Sequence, residues 1–90
     1  MKYVIIAVGF ENGTHCPHAG QFLKSFDHDA HDGQGFGVFT KSLARAKRFD
    51  TREELFAFWQ QQSTVRPLRP DGKPNRPLTA LTVTTEPVEE

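Results

Sequence analysis

The sequence predicts an α+β domain of two layers: a three- to four-stranded, mainly antiparallel sheet with one short and one longer helix packed on one face, in the order β-β-β-α-α-β. Three observations carry that expectation. The chain opens on a β-branched run that is apolar on both pleat faces, its middle holds an amphipathic stripe introduced by a capping signature, and it closes on alternating Leu, Thr and Val. Ninety residues bring an unfolded surface of about 14,800 Å² down to ~5,300 Å², so roughly 64 % is buried. That supports one thin core and is too little for a doubly wound cofactor fold or a large barrel enzyme, which need well over ~100 residues.

In the first strand, Tyr3, Ile5 and Ala7 lie on one face and Val4, Ile6 and Val8 on the other, the pattern of a central strand. Residues 10–18 form a loop marked by Asn12-Gly13 and Cys16-Pro17. A second strand follows over Gln21 to Phe26, with Phe22, Lys24 and Phe26 on one side and Leu23 on the other. Residues 27–35 are rich in Asp, His and Gly and read as a turn-forming loop, and Phe36 to Thr40 is a short third strand. Ser42 caps a brief helix through about Phe49, in which Leu43, Ala46 and Phe49 recur at a spacing of three.

The main helix has the stronger signature. Thr51 with Glu54, or Asp50 with Glu53, forms a capping box, because each end satisfies an orphan amide of the first turn. Leu55, Phe58, Trp59 and Gln62 trace the stripe that should lie on the sheet, with Phe56 at its margin, and the helix should run to about Gln62. Residues 63–77 hold four prolines and are excluded from helix. Leu78 to Thr85 is a half-buried last strand, so residues 1–86 form one domain and residues 87–90 an acidic C-terminal tail.

Eleven Lys and Arg cancel eleven Asp and Glu, so any attraction to nucleic acid or anionic lipid must come from a local patch. The charges are segregated along the chain: residues 1–40 carry −2, residues 41–60 carry +2, residues 61–80 carry +3 and the last ten −3. The single Cys16 excludes an intramolecular disulfide. The opening MKYVIIAV has no cleavage signature, and no apolar stretch approaches the ~20 residues that cross a bilayer, which leads us to expect a small single-domain protein of the reducing cytoplasm with no membrane partner. The Thr-rich last strand and a surplus of Phe leave the oligomeric state open between monomer and homodimer.

All four histidines fall within seventeen residues. His15, His18, His28, His31 and Asp32 make a candidate metal set of the zinc type, since imidazole and carboxylate are ordinary zinc ligands. Against it, a six-residue strand spans about 20 Å and sends its two flanking loops to opposite ends of the sheet. The alternative is two polar loops whose histidines are solvated or satisfied by backbone. Asp27, Asp29 and Asp32 do not make an EF-hand: in a loop starting at Asp27 the sixth position is Asp32 where Gly is needed, and the twelfth is Val38 where a carboxylate is needed. Cys16 beside His15 and His18 is no evidence of an activated thiol, and no serine sits in a nucleophile elbow. Gly33, Gly35 and Gly37 lack the Lys-Ser/Thr of a phosphate loop and read as a tight turn and a closely approached edge strand.

The most distinctive segment is Arg66-Pro-Leu-Arg-Pro-Asp-Gly-Lys-Pro-Asn-Arg-Pro77, in which every basic residue precedes a proline. Proline holds its predecessor extended. Two such arms flank an Asp71-Gly72 turn, giving a stiff hairpin that presents Arg66, Arg69, Lys73 and Arg76, with Lys47 and Arg48 as supporting cations. Rigid arms lose little entropy on binding, which suits an anionic protein or nucleoprotein surface or a phosphate backbone. The same segment also serves as a plain crossover between helix and last strand.

The strings Pro17-His18-Ala-Gly-Gln-Phe-Leu-Lys-Ser-Phe-Asp27, Asp29-Ala30-His31-Asp32-Gly33 and Arg69-Pro-Asp-Gly-Lys-Pro-Asn-Arg-Pro-Leu-Thr-Ala80 resemble a group of small uncharacterised proteins of bacterial phages and prophages. The resemblance covers most of the chain, and the group carries no established activity and no catalytic residues to transfer. It implies a protein that acts by binding host machinery, inhibitors of CRISPR complexes being one such class. The reading of the whole sequence is therefore a non-enzymatic binding protein without a cofactor that engages an anionic surface through the basic hairpin. The alternatives are a zinc-type metal-binding protein or enzyme, a nucleic-acid-binding protein and a CRISPR-type defence inhibitor.

Overall fold

The computed structural model describes residues 1–89. Strands β1 (Lys2–Phe10), β2 (Phe22–Asp27), β3 (Phe36–Thr40) and β4 (Leu81–Val88) form one antiparallel sheet in the order β3-β2-β1-β4. One helical turn, α1 (Ala30–Gly33), lies between β2 and β3, and an eight-residue helix, α2 (Arg52–Trp59), precedes the crossover to β4. The molecule is a small α+β domain, as the sequence predicts. Among the described residues no helix is long and apolar enough to cross a membrane.

β1 is central because both its faces are apolar, and Val4 and Ile5 are essentially fully buried. It pairs with β4 from Lys2↔Val88 to Phe10↔Leu81, with a bulge between Ala7 and Gly9. Its pairing with β2 is short: Ile6 faces Phe22, the Ala7 amide donates to the Gln21 carbonyl at 3.0 Å, and the Gly20 amide donates to the Ala7 carbonyl at 2.7 Å. Beyond that point the segment 47–49 takes over. The Lys47 amide donates to the Leu23 carbonyl at 2.9 Å, and Phe49 exchanges both backbone bonds with Tyr3, each at 2.9 Å.

That insertion corrects the short helix expected through Phe49. Only Leu43–Arg45 makes a 3-10 turn, Ser42 makes no side-chain cap, and Ala46 is already extended. A spacing of three does not by itself distinguish helix from an extended segment. Here the strand bonds to Tyr3 bury Ala46 and Phe49 and leave Leu43 41 % exposed. A second correction falls in β2, where a bulge between Leu23 and Ser25 sets both Leu23 and Phe26 against the core. Phe22, expected on the same side as Phe26, is displaced to the opposite face.

Helix α2 starts as its signature requires. The Thr51 hydroxyl accepts the Glu54 amide at 3.1 Å, and the Glu54 carboxylate reaches back to accept the Asp50 amide at 3.2 Å. Leu55 is fully buried, and Phe58 and Trp59 pack against a core of Ile5, Cys16, Leu23, Phe49, Leu78 and Leu81. The helix ends at Trp59, short of the expected Gln62: the Gln60 and Gln61 amides still donate to the Phe56 and Phe58 carbonyls, and beyond them Gln62 donates its side-chain amide to the Pro67 carbonyl and the Ser63 amide donates to the Asn75 carbonyl at 2.9 Å.

Residues Pro77–Ala80 make a second 3-10 turn that buries Pro77 and Leu78, so β4 begins at Leu81 rather than Leu78. It continues through Pro87 and Val88, into the stretch read from sequence as tail. Pro87 is tolerated there for a geometric reason. Its partner Tyr3 spends both backbone groups on Phe49, so the corresponding groups of Pro87 point away from β1, and the missing N–H falls on the open edge. Glu89 follows the strand, and Glu90 lies outside the described residues.

Candidate functional site

Residues 66–76 form a hairpin. The Arg69 amide donates to the Lys73 carbonyl at 2.8 Å, the Gly72 amide to the Arg69 carbonyl at 2.9 Å, and the Asn75 amide to the Pro67 carbonyl at 2.9 Å. This is a three-residue loop closed by a left-handed glycine: Gly72 has φ +82°, and the Asp71 carboxylate accepts the Lys73 amide at 3.0 Å. Pro67 and Pro74 stiffen the two arms, and Pro70 opens the loop between them. Arg66, Arg69, Lys73 and Arg76 therefore share one ordered hairpin.

The hairpin does not stand free, because its base is held by the loop between β2 and β3. Asp29 accepts from the Ser63 hydroxyl at 2.9 Å, the Thr64 amide and the Thr64 hydroxyl at 2.7 Å each, and more weakly the Val65 amide at 3.4 Å. These bonds, the Thr64 hydroxyl foremost, hold the Asp29 carboxyl at a pKa of about 2, below its ordinary 3.8. Arg66 forms an ion pair with Asp32 and also donates Nε–H to the Asp32 carbonyl at 3.0 Å. Asn75 donates its side-chain amide to the Gly33 carbonyl at 2.7 Å and to the Arg66 carbonyl at 2.9 Å.

The backbone of α1 is shaped for this contact. His31 (φ 53°), Asp32 (φ 59°) and Gly33 (φ 87°) are left-handed in succession, which costs roughly 1–2 kcal/mol for each residue that has a Cβ. The turn offers the carbonyls of Asp32 and Gly33 to Arg66 and Asn75, whose bonds offset the strain. Gly33 is buried, and a Cβ there would sit 2.6 Å from the Arg66 Cβ. Arg66, Arg69, Asp32, Gly33 and Asn75 line an open groove of about 360 Å³ at this junction.

The expected cations divide into three groups. Arg66 is neutralised by Asp32, and Arg69 lies 3.4 Å from Asp71. Lys73 and Arg76 are exposed and meet no acidic partner among the described residues. Lys47 lies 5.4 Å and 5.0 Å from the ring centres of Phe49 and Phe58, and Arg48 donates to the carbonyls of Leu43 and Ala46. Lys47 and Arg48 therefore brace the segment that inserts beside β1.

The candidate metal set is dispersed. His28 is buried, with Nε2 2.9 Å from the Phe58 carbonyl and its ring edge-on to Phe26 and Phe58. His18 stacks on Phe39 with centroids 4.6 Å apart, His31 meets Phe36 edge-on, and His15 is exposed. Among the described residues no three of His, Cys, Asp and Glu come together as a ligand group. Cys16 is buried in the core while His15 and His18 remain exposed.

Sequence reasoning missed the residues that seat the hairpin. Asp29 reads locally as a turn former, and Ser63, Thr64 and Asn75 read as loop polar residues, because nothing along the chain links positions more than thirty residues apart. The one available signal is that Ser63-Thr64 directly precedes the Pro-rich arm and Asn75 interrupts it next to its last basic-Pro pair. No protein-family model, no curated protein and no solved structure matches the chain.

Proposed function

We propose that the protein is a non-enzymatic binding protein and that its hairpin, through Lys73 and Arg76 with Arg69 beside them, engages an anionic surface of a protein or nucleoprotein. The observation that carries this reading is the anchored hairpin: a proline-stiffened loop, hydrogen-bonded within itself and to the β2–β3 loop, that exposes two cations without acidic partners among the described residues. Ordering an interface side chain on binding costs about 0.5–1.5 kcal/mol, and ordering backbone costs more, so a hairpin already held in place keeps most of its interaction energy for the partner. The phage-type resemblance supports a macromolecular target in a bacterial host.

The test is capture from a bacterial host lysate by the immobilised protein, wild type against Lys73→Glu/Arg76→Glu, with Lys24→Glu/Lys41→Glu as the charge-matched control. The hairpin variant should lose at least about tenfold in apparent affinity, equivalent to about 1.4 kcal/mol, while the control retains binding. Equal capture by the hairpin variant and the wild type contradicts the assignment.

A further inference from the structure

The open edge of β4 carries backbone groups that no other described residue uses. Tyr3 and Ala7 turn their N–H and C=O groups toward Phe49 and toward Gly20 and Gln21, and the ladder facing Pro87 and Val83 is unbroken between those points. In an antiparallel pair both partners turn their backbone groups the same way, toward each other or apart. Val83, Thr85 and Pro87 therefore present theirs to the outside. The neighbouring outward position, Leu81, is already spent, with its amide donating to the Leu78 carbonyl and its carbonyl accepting the Trp59 indole N–H at 3.4 Å. Of the outward groups, only Val83 and Thr85 offer both a donor and an acceptor.

We infer that β4 pairs with β4 of a second copy of this chain across a two-fold axis at Thr84. In that register each Val83 faces the second copy's Thr85, and every outward N–H finds a carbonyl. The flanking position sets Leu81, whose groups are spent, against the second copy's Pro87, which has no N–H, so no donor is stranded. Shifting the two-fold axis to Val83 or to Thr85 sets one of these depleted residues against a residue whose groups it cannot match. The side chains agree with the backbone. Thr84 meets its own copy, Thr82 meets the second copy's Glu86, and no like charges are opposed. Beside this edge an open groove of about 410 Å³ is lined by Phe56, Trp59 and Val83, and Phe56 is 46 % exposed. The pairing would cover that apolar surface and extend the sheet through the axis.

The experiment is sedimentation of the full chain over concentrations up to about 1 mM, with two variants chosen to spare the monomer. Thr85→Pro deletes an N–H that β1 does not use, and Thr84→Lys sets two ammonium groups opposite each other at the axis. The wild type should form a dimer, and both variants should be monomeric with unchanged circular dichroism. In addition, Thr84→Cys should oxidise to a cross-linked dimer, because a non-hydrogen-bonded antiparallel pair places Cα atoms about 4.5 Å apart, within disulfide reach. Thr82→Cys, which meets the second copy's Glu86, should not. A wild type that stays monomeric throughout, a dimer that survives both variants, or equal cross-linking at positions 82 and 84 overturns the inference.

Discussion

Replacing Gly33 by Ala tests the seating of the hairpin, and Gly72→Ala supplies the reference. Both glycines are left-handed, with φ +87° and +82°, so each substitution brings a backbone penalty of about 1–2 kcal/mol. Their surroundings differ. At Gly72 an added Cβ meets nothing within 4 Å, whereas at Gly33 it meets the Arg66 Cβ at 2.6 Å, the Ser63 hydroxyl at 3.0 Å and the Asn75 amide nitrogen at 3.1 Å. The Arg66 Cβ is fixed to its backbone and cannot swing aside, so the base of the hairpin must move. Overpacking of that kind costs about 1–3 kcal/mol. Urea denaturation should therefore show Gly72→Ala destabilised by about 1–2 kcal/mol and Gly33→Ala by about 2–5 kcal/mol. The difference corresponds to at least about 4 °C in Tm for a domain of this size. Equal losses for the two variants would refute the contact between the β2–β3 loop and the hairpin.

Two further outcomes follow from the same geometry. The folded Asp29 pKa of about 2 lies below its ordinary 3.8, so its stabilisation is complete above about pH 4 and is lost as pH falls through 2. Asp29→Asn should unfold at lower urea than wild type at pH 7, and the two midpoints should converge near pH 2. Thr51→Ala removes the acceptor of the Glu54 amide and should cost about 1 kcal/mol in the same assay, with helical circular dichroism reduced on heating.

The elements with strong local chemistry were legible in the sequence. The two-sided apolar run gave a central β1, and the Thr51 to Glu54 signature gave the start of α2. Asp71-Gly72 between basic-Pro arms gave a hairpin. What local pattern could not supply was competition from distant bonds. Phe49 is extended because Tyr3 offers it two strand bonds, and the chain does not continue α2 through Gln62 because Gln62 and Ser63 bond to the crossover. The charge map shows the same limit. Along the chain an acidic first half and a basic arm look like separate surfaces, yet folding sets Asp29 beside Ser63 and Thr64, and Asp32 beside Arg66. Arg66 is thereby matched at the base of the arm and Arg69 by Asp71 in its loop, leaving Lys73 and Arg76 as the arm's cations with no acidic partner among the described residues.

The central claim is that residues 63–76 are a fixed platform and not a mobile linker. Backbone ¹⁵N relaxation reads this directly. The account predicts order parameters near ~0.85 for Arg69, Gly72, Lys73 and Asn75, equal to those of β1. Values below about 0.6 across those residues, with β1 remaining rigid, would contradict it.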